Sequence, residues 1–213
     1  MNVHKSEALT LKTYPFAESN RIVVYLARDY GQLRGVAHGA RKPKSRFGSS
    51  LELLTHCRIV FYRKEHQELA VIQSVEIIRA FPAYQLNWET NLHFNYFAEL
   101  LLEFSREEAE SENVFRLALA TLDATETAPM TTLARYFEAW LLKLEGVLPP
   151  LEKALPAGLA EKMRLMMRIP PTQLKDFALS AEELTTAERV LGSIIEGHLE
   201  KRLKSRALLA ELL

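Results

Sequence analysis

The chain has 213 residues, 48% hydrophobic and 25% charged, with 27 Lys+Arg balanced by 27 Asp+Glu. That length holds one large or two small domains, and that composition is ordinary for a soluble globular protein and argues against a disordered chain. No stretch approaches the roughly 18 uninterrupted apolar residues of a membrane span, and MNVHKSEALTLK lacks the apolar core of a signal peptide, so no membrane partner and a cytoplasmic location are expected.

Up to Phe81 the pattern is that of strands. Ala8 to Phe16, Arg21 to Arg28, Gln32 to Ala40, Leu53 to Tyr62 and Leu69 to Ala80 are short runs rich in β-branched and aromatic residues, several with period-two alternation. Turn signals separate them at Glu18-Ser19-Asn20, Asp29-Tyr30-Gly31 and Lys64-Glu65-His66-Gln67, with a longer excursion between the third and fourth. Five strands in about 75 residues suit a small closed barrel of the OB type, whose loops and open face hold single strands. An SH3-like barrel would present the same periodicity. Cys57, in the apolar segment HCRIVFY, cannot form an internal disulfide and reads as a small buried hydrophobe.

After Phe81-Pro82 the period becomes helical. Trp88 to Arg106 places Leu92, Tyr96, Glu99/Leu100 and Glu103 at three-to-four spacing, with Phe94, Phe97, Leu101 and Phe104 on the adjoining stripe, so this helix is expected to be mostly buried. Glu112 to Ala124 and Thr131 to Glu145 follow, the latter stopping at Gly146. Leu159 to Arg168 forms a shorter helix before Pro170-Pro171. Thr185 to Leu212 carries a long helical pattern, with Thr185 as a cap and Glu188 three residues on. The expected architecture is α+β in two domains: residues 1–80 a five-stranded barrel, residues 81–213 an all-helical bundle. No repeat of solenoid length is present.

Zero net charge conceals two opposite halves. Residues 1–80 carry 13 Lys+Arg against 7 Asp+Glu, and the remainder 14 against 20. The densest basic run is RKPKSRFG, where Arg41, Lys42, Lys44 and Arg46 stand beside Phe47 in a Pro/Gly-bounded loop. Cations that displace condensed counterions from a phosphate backbone gain release entropy, and an adjacent ring offers a base a stacking face. Arg34, Arg41, Lys42, Lys44 and Arg46 are therefore assigned to phosphates and Phe47 to stacking. Lys12, Tyr14 and Arg21 are weaker candidates, because their side of the barrel is not fixed by the sequence. The alternative for the whole run is a solvated turn.

Enzyme chemistry finds little support. His4, His38, His56, His66, His93 and His198 show no ligand spacing, and no nucleophile elbow, Walker A or dinucleotide motif is present. His38 and His56 could line the barrel surface near a bound strand. Glu107, Glu108, Glu110 and Glu112 read as a solvated loop rather than an ion site. No cofactor is expected.

The stretch LKTYPFAESNRIVVYLARDYGQLRGVAHGARKPKSRFGSSLELLTHCRIVFY and, near the end, LKSRALLAEL resemble the bacterial RecO family of DNA repair and recombination proteins. The likeness is dense over residues 8–82, moderate at ARYFEAWLLKLEG, and resumes at Leu203-Lys204-Ser205-Arg206. It implies an amino-terminal OB domain, a helical carboxy-terminal domain and a bacterial nucleoid-associated protein. It further implies binding of single- and double-stranded DNA, annealing of complementary strands, and action with RecR to load RecA onto DNA coated by single-strand binding protein. Several family members bind zinc through a cysteine cluster after the helix equivalent to residues 131–146. Here VLPPLEKALPAGLAEKM contains neither Cys nor His, so no metal is expected, and Leu148, Leu151, Leu155 and Leu159 would pack in its place.

The resemblance also implies that the helical domain captures the acidic, apolar-ended tail of the single-strand binding protein. Because that half is acidic overall, a local basic patch beside an apolar groove must do this, and Arg135, Lys143, Lys201, Arg202, Lys204 and Arg206 are the available cations. Lys201 to Arg206 equally suits a cation cluster that complements a helix dipole. The competing reading of the chain is a generic OB-fold RNA or tRNA binder with a helical dimerisation domain.

Overall fold

The computed structural model describes residues 2–63, 67–81, 87–107 and 111–212. Lys64, Glu65 and His66 of the expected turn, Pro82 at the expected change of period, and Glu108 and Glu110 of the acidic stretch lie outside the described residues. The chain falls into two compact units, residues 1–87 with 94–115, and residues 88–93 with 116–213.

In the first unit, β1 (Val3–Phe16), β2 (Asn20–Ala27), β3 (Gly31–Ala37), β4 (His56–Tyr62) and β5 (Ala70–Arg79) close into a barrel in the order β1-β2-β3-β5-β4. β1 serves two neighbours: Val3 to Leu9 pairs with β4 and Ala8 to Phe16 with β2. A bulge between Thr10 and Lys12 supplies the bend between those two roles. Among the described residues only β3 and β5 pair in parallel, through Gly35↔Ala70 and Val36↔Val71. This is the five-stranded Greek-key barrel of the OB type, which periodicity alone could not separate from an SH3-like one.

Alternation decides what each strand residue does. Ala8, Val23, Tyr25, Ala27, Leu33, Cys57, Ile59, Phe61 and Ile72 fill the interior. Burial pushes the Cys57 thiol up to about 12 and raises the Tyr25 hydroxyl well above its ordinary range, so neither ionises near neutrality. The parallel closure needs a residue without a side chain, since a Cβ on Gly35 would lie 2.4 Å from Ile72 Cδ1. Strand ends depart from expectation where polar residues pair: His4 to Glu7 extend β1 because β4 supplies them with backbone partners. β3 stops at Ala37, three residues early, because the chain turns there.

The helices are α1 (Trp88–Phe104), α2 (Glu112–Ala124), α3 (Met130–Leu144), α4 (Leu151–Ala154), α5 (Ala157–Met166), α6 (Ala181–Leu199) and α7 (Lys204–Leu212). In the first unit Gln32 ties β3 to the end of α1 and the residues that follow it: its side-chain Nε2 donates to Leu102 O at 2.8 Å, and its backbone N to Arg106 O at 2.9 Å. The acidic stretch is partly paired there, with Arg28 and Glu112 2.7 Å apart and Arg34 and Glu107 3.6 Å apart.

In the second unit α3 packs on α6, and Leu151, Leu155 and Leu159 are buried as expected, with Leu148 half-buried. The expected helix over residues 185–212 is corrected twice. Its cap is Ser180, whose Oγ accepts from Glu183 N at 3.2 Å while Glu183 Oε2 accepts from Ser180 N at 2.8 Å. Thr185 is internal and back-bonds to Ala181 O at 2.9 Å. The helix then ends at Glu200, in the left-handed region at φ 53°, and α7 restarts at Lys204.

Candidate nucleic-acid interface

The long connection after β3 is a chain of short turns. Lys42 N donates to Gly39 O at 3.1 Å, Ser45 N to Lys42 O at 3.0 Å and Ser50 N to Phe47 O at 2.9 Å. Pro43, Gly39 and Gly48 suit such a path and no helical period competes with it. The loop is stitched to the turn between β1 and β2. Gly39 N donates to Asn20 Oδ1 at 3.0 Å, Arg41 N to Ser19 O at 2.9 Å, and an Arg41 guanidinium nitrogen to Ala17 O at 3.2 Å. Arg41, Lys42, Lys44 and Arg46 are all exposed on this fixed scaffold. Like charges this close repel, and a polyanion laid against them relieves that cost while releasing its own counterions.

Arg34 lies on β3, not on the loop. It is exposed on the outer side of β3, three residues before the strand ends, with Gln32 Oε1 at 3.4 Å and Glu107 at 3.6 Å from its guanidinium. The strand register sets its neighbours across the sheet: Lys12↔Val24↔Arg34, then Tyr14↔Ile22↔Val36, then Phe16↔Asn20. Lys12 is exposed, with Nζ 5.1 Å from the Tyr14 ring centroid. Tyr14 and Phe16 are 40% and 41% exposed. Arg21 is exposed too, donating to Thr13 Oγ1 at 3.3 Å.

Phe47 requires correction. At 3% exposed it belongs to the barrel's own core cluster, with Arg46 folded over its ring at 5.0 Å, and it offers no face to a base. An aromatic next to four cations reads as a contact residue in sequence, yet here it plugs the barrel and anchors the loop. Phe16 was missed, although its place two residues after Tyr14, at a turn, is the alternation that marks one face of a strand. His38 is exposed at the start of the loop, whereas His56 is turned into a pair with Glu7 at 3.2 Å and an edge contact with Phe115.

The cations expected on the helical half separate into two groups. Arg135 and Glu138 form a buried pair 2.8 Å apart, with side chains 8% and 1% exposed, so Arg135 is corrected from a contact residue to an internal one. Arg206 is likewise engaged internally, 2.8 Å from Glu188 and 2.9 Å from Glu196. Lys143, Lys201, Arg202 and Lys204 are exposed. Lys143 lies 4.4 Å from the Trp140 ring centroid and edges a groove of about 530 Å³ lined also by Leu148, Pro149, Leu151, Met167 and Arg168. A second groove of about 530 Å³ is lined by Arg189, Glu196, Lys201, Arg202 and Arg206. Among the described residues no group of three or more His, Cys, Asp or Glu side chains is placed to hold a metal, and no helix is long and apolar enough to cross a membrane.

Comparison with known proteins bears on both units. The family profile described as "Recombination protein O N terminal" matches residues 1–81, and "Recombination protein O C terminal" matches 85–158 and 152–207. A protein named DNA repair protein RecO from Koribacter versatilis is 32% identical over 154 residues, 72% of this chain and 63% of that protein. Proteins of the same name from Syntrophus aciditrophicus and Thermodesulfovibrio yellowstonii are 34% and 38% identical over 150 and 119 residues. Those matches cover 70% and 56% of this chain, and 58% and 47% of the relatives. The chain thus matches less than two thirds of each relative's own length.

Proposed function

This chain belongs to the recombination protein O family, and from that premise we propose that it binds single- and double-stranded DNA through the basic loop of its barrel and anneals complementary strands during repair and recombination. The observation that carries this reading is the exposed set Arg41, Lys42, Lys44 and Arg46 on a loop fixed to the β1–β2 turn. Two strands that are to pair repel each other through their phosphates. A rim of cations that neutralises phosphates without reading base edges lowers that barrier and leaves base pairing to choose the partner. Such a role needs no nucleophile and no general base.

In this reading the chain is a cytoplasmic, nucleoid-associated mediator that acts with RecR and helps load RecA onto DNA coated by single-strand binding protein. The second unit would take up that protein's acidic, apolar-ended tail. The groove beside Lys143 and Arg168 has the matching chemistry, apolar walls with cations at the edge. The barrel of residues 1–80 would serve DNA and residues 81–213 protein partners.

A fluorescence annealing assay with complementary oligonucleotides tests it. Pairing should accelerate with bare strands and with strands carrying single-strand binding protein. A protein that sequesters the strands and slows pairing would overturn the reading and favour a plain RNA or tRNA binder.

A further inference from the structure

The outer side of β1 carries two rings whose exposure the barrel's own folding does not explain. Tyr14 and Phe16, 40% and 41% exposed, stand two residues apart, so alternation puts both on one face of the strand. They lie opposite Ile22 and Asn20 of β2, outside the interior cluster that claims Val23, Tyr25 and Ala27. Burial changes in order along this face. Leu9 of β1 and Leu26 of β2 are 0% exposed, whereas two rows on Tyr14 is open and Ile22 half-buried; on β3 the corresponding Gln32 and Val36 stay buried on either side of exposed Arg34.

One cation touches a ring and two others lie nearby. Lys12 Nζ sits 5.1 Å from the Tyr14 centroid, and Arg34 shares the cross-strand row of Lys12. Arg41 reaches Ala17 O, the carbonyl next in sequence to Phe16, at 3.2 Å. Exposed apolar rings bounded by positive charge suit an occupant that is flat and apolar in one part and anionic in another. Unpaired nucleobases on their phosphate backbone have that chemistry.

We infer that Tyr14 and Phe16 are a stacking platform for unpaired bases and are what lets this barrel prefer a single strand to a duplex. This rests on the DNA-binding reading above. The spacing supplies the selectivity: residues two apart on a strand are separated by about 7 Å, about twice the 3.4 Å per base of a duplex strand. Bases seated on both rings are therefore pulled apart from each other, which a single strand permits and a stacked duplex resists. The loop cations hold either form through phosphates. The rings hold only the one whose bases are free.

Fluorescence anisotropy with one labelled oligonucleotide, used single-stranded and annealed to its complement, tests this on the full chain. Tyr14→Leu and Phe16→Leu should each weaken single-strand binding roughly tenfold, leave duplex binding within about twofold, and keep the slope of log affinity against log salt unchanged. Tyr14→Phe should bind as the parent does. Both positions are surface-exposed, and matching thermal melts establish that the variants fold. Equal losses on single strand and duplex, or no loss on either, would overturn the platform; the latter would point to an apolar protein partner on these rings. Replacing Arg41, Lys42, Lys44 and Arg46 together with Ala separates the two claims. If that change leaves both affinities intact, the DNA-binding reading itself fails, whatever the rings do.

Discussion

The guanidinium of Arg206 lies on the backbone of Gly192: a Cβ at that glycine would come within 2.2 Å of Arg206 Cζ. Glu188, Gly192 and Glu196 recur every four residues and share one face of α6, so the glycine is the seat and the two carboxylates, at 2.8 and 2.9 Å, are the arms. This clasp links α7 to α6 across the left-handed turn at Glu200. It also explains why LKSR, which reads in sequence as a basic surface, is partly structural.

Double-mutant denaturation measures the clasp. In the wild type Gly192→Ala displaces the guanidinium from both carboxylates, and a net loss of stability is expected despite the better helix propensity. In an Arg206→Ala background the same change should stabilise by about 1 kcal/mol, as a plain helix-interior glycine replacement does. The difference, about 1–3 kcal/mol, is the coupling. Gly197→Ala, with nothing near its Cβ, should stabilise in both backgrounds. Equal effects of Gly192→Ala in the two backgrounds would show that the contact contributes nothing.

Local rules made most of the barrel and helices legible. Runs of β-branched and aromatic residues, several of them alternating, marked all five strands, and the shift to a period near 3.6 marked α1, α2, α3 and α5. Non-local partners decided what was missed. His4 to Glu7 look like a polar lead-in until β4 lies beside them. The break at Glu200 has no Gly or Pro at the cap to announce it, and Phe47 and Arg135 look like contact residues until their exposures of 3% and 7% are seen. The exposure of the charged loop was legible because four cations in eight residues leave it no apolar face to bury. Tyr14 was only a weaker candidate and Phe16 was not named, because which way a strand residue faces depends on the bulge at Thr10/Lys12.

Gly35→Ala should destabilise the barrel. The added methyl meets Ile72 Cδ1 at 2.4 Å and Ala70 O at 3.2 Å, at the short parallel junction of β3 and β5. Overpacking of this kind costs about 1–3 kcal/mol. Ile72→Val in the same chain should recover part of the loss, read by urea denaturation. No recovery would mean that the backbone, rather than the isoleucine, limits the space.

Replacing Phe47 separates packing from contact. Phe47→Ala should cost about 3–5 kcal/mol of stability, and Phe47→Leu less than about 1.5 kcal/mol. With folded Phe47→Leu protein, single-strand affinity should match the wild type, since the ring is in the core cluster. A selective loss of single-strand affinity there would restore Phe47 as a stacking residue.

The loop cations should act through phosphates alone. Each of Arg41→Ala, Lys42→Ala, Lys44→Ala and Arg46→Ala is expected to weaken binding similarly on unrelated sequences. Each should also flatten the log–log salt slope by about 0.7 on single strands. Arg41→Ala should do more, because it also frees the loop from Ala17 O. A sequence-dependent loss, or a slope that does not move, would rule out phosphate neutralisation as the mechanism.

His93 gives the second unit an expected pH dependence. Its imidazole is 3% exposed and its Nδ1–H donates to Glu89 O at 2.9 Å. Burial first, and the nearby Arg135 charge among the lesser causes, hold its pKa below the ordinary value. The folded state therefore resists a proton that the unfolded chain takes up near pH 6.5. Above that pH neither state is protonated and the group has no effect. As pH falls below it the unfolded state binds more protons, and stability declines by up to about 1.4 kcal/mol per pH unit until the folded pKa is reached. Glu183, held low chiefly by Lys162, acts in a separate window, since its contribution is lost only as pH falls below the ordinary carboxylate range. Denaturation at a series of pH values from 7.5 downward should show the first decline in the wild type and a flatter profile in His93→Gln. An identical profile in the two proteins would remove His93 as its source.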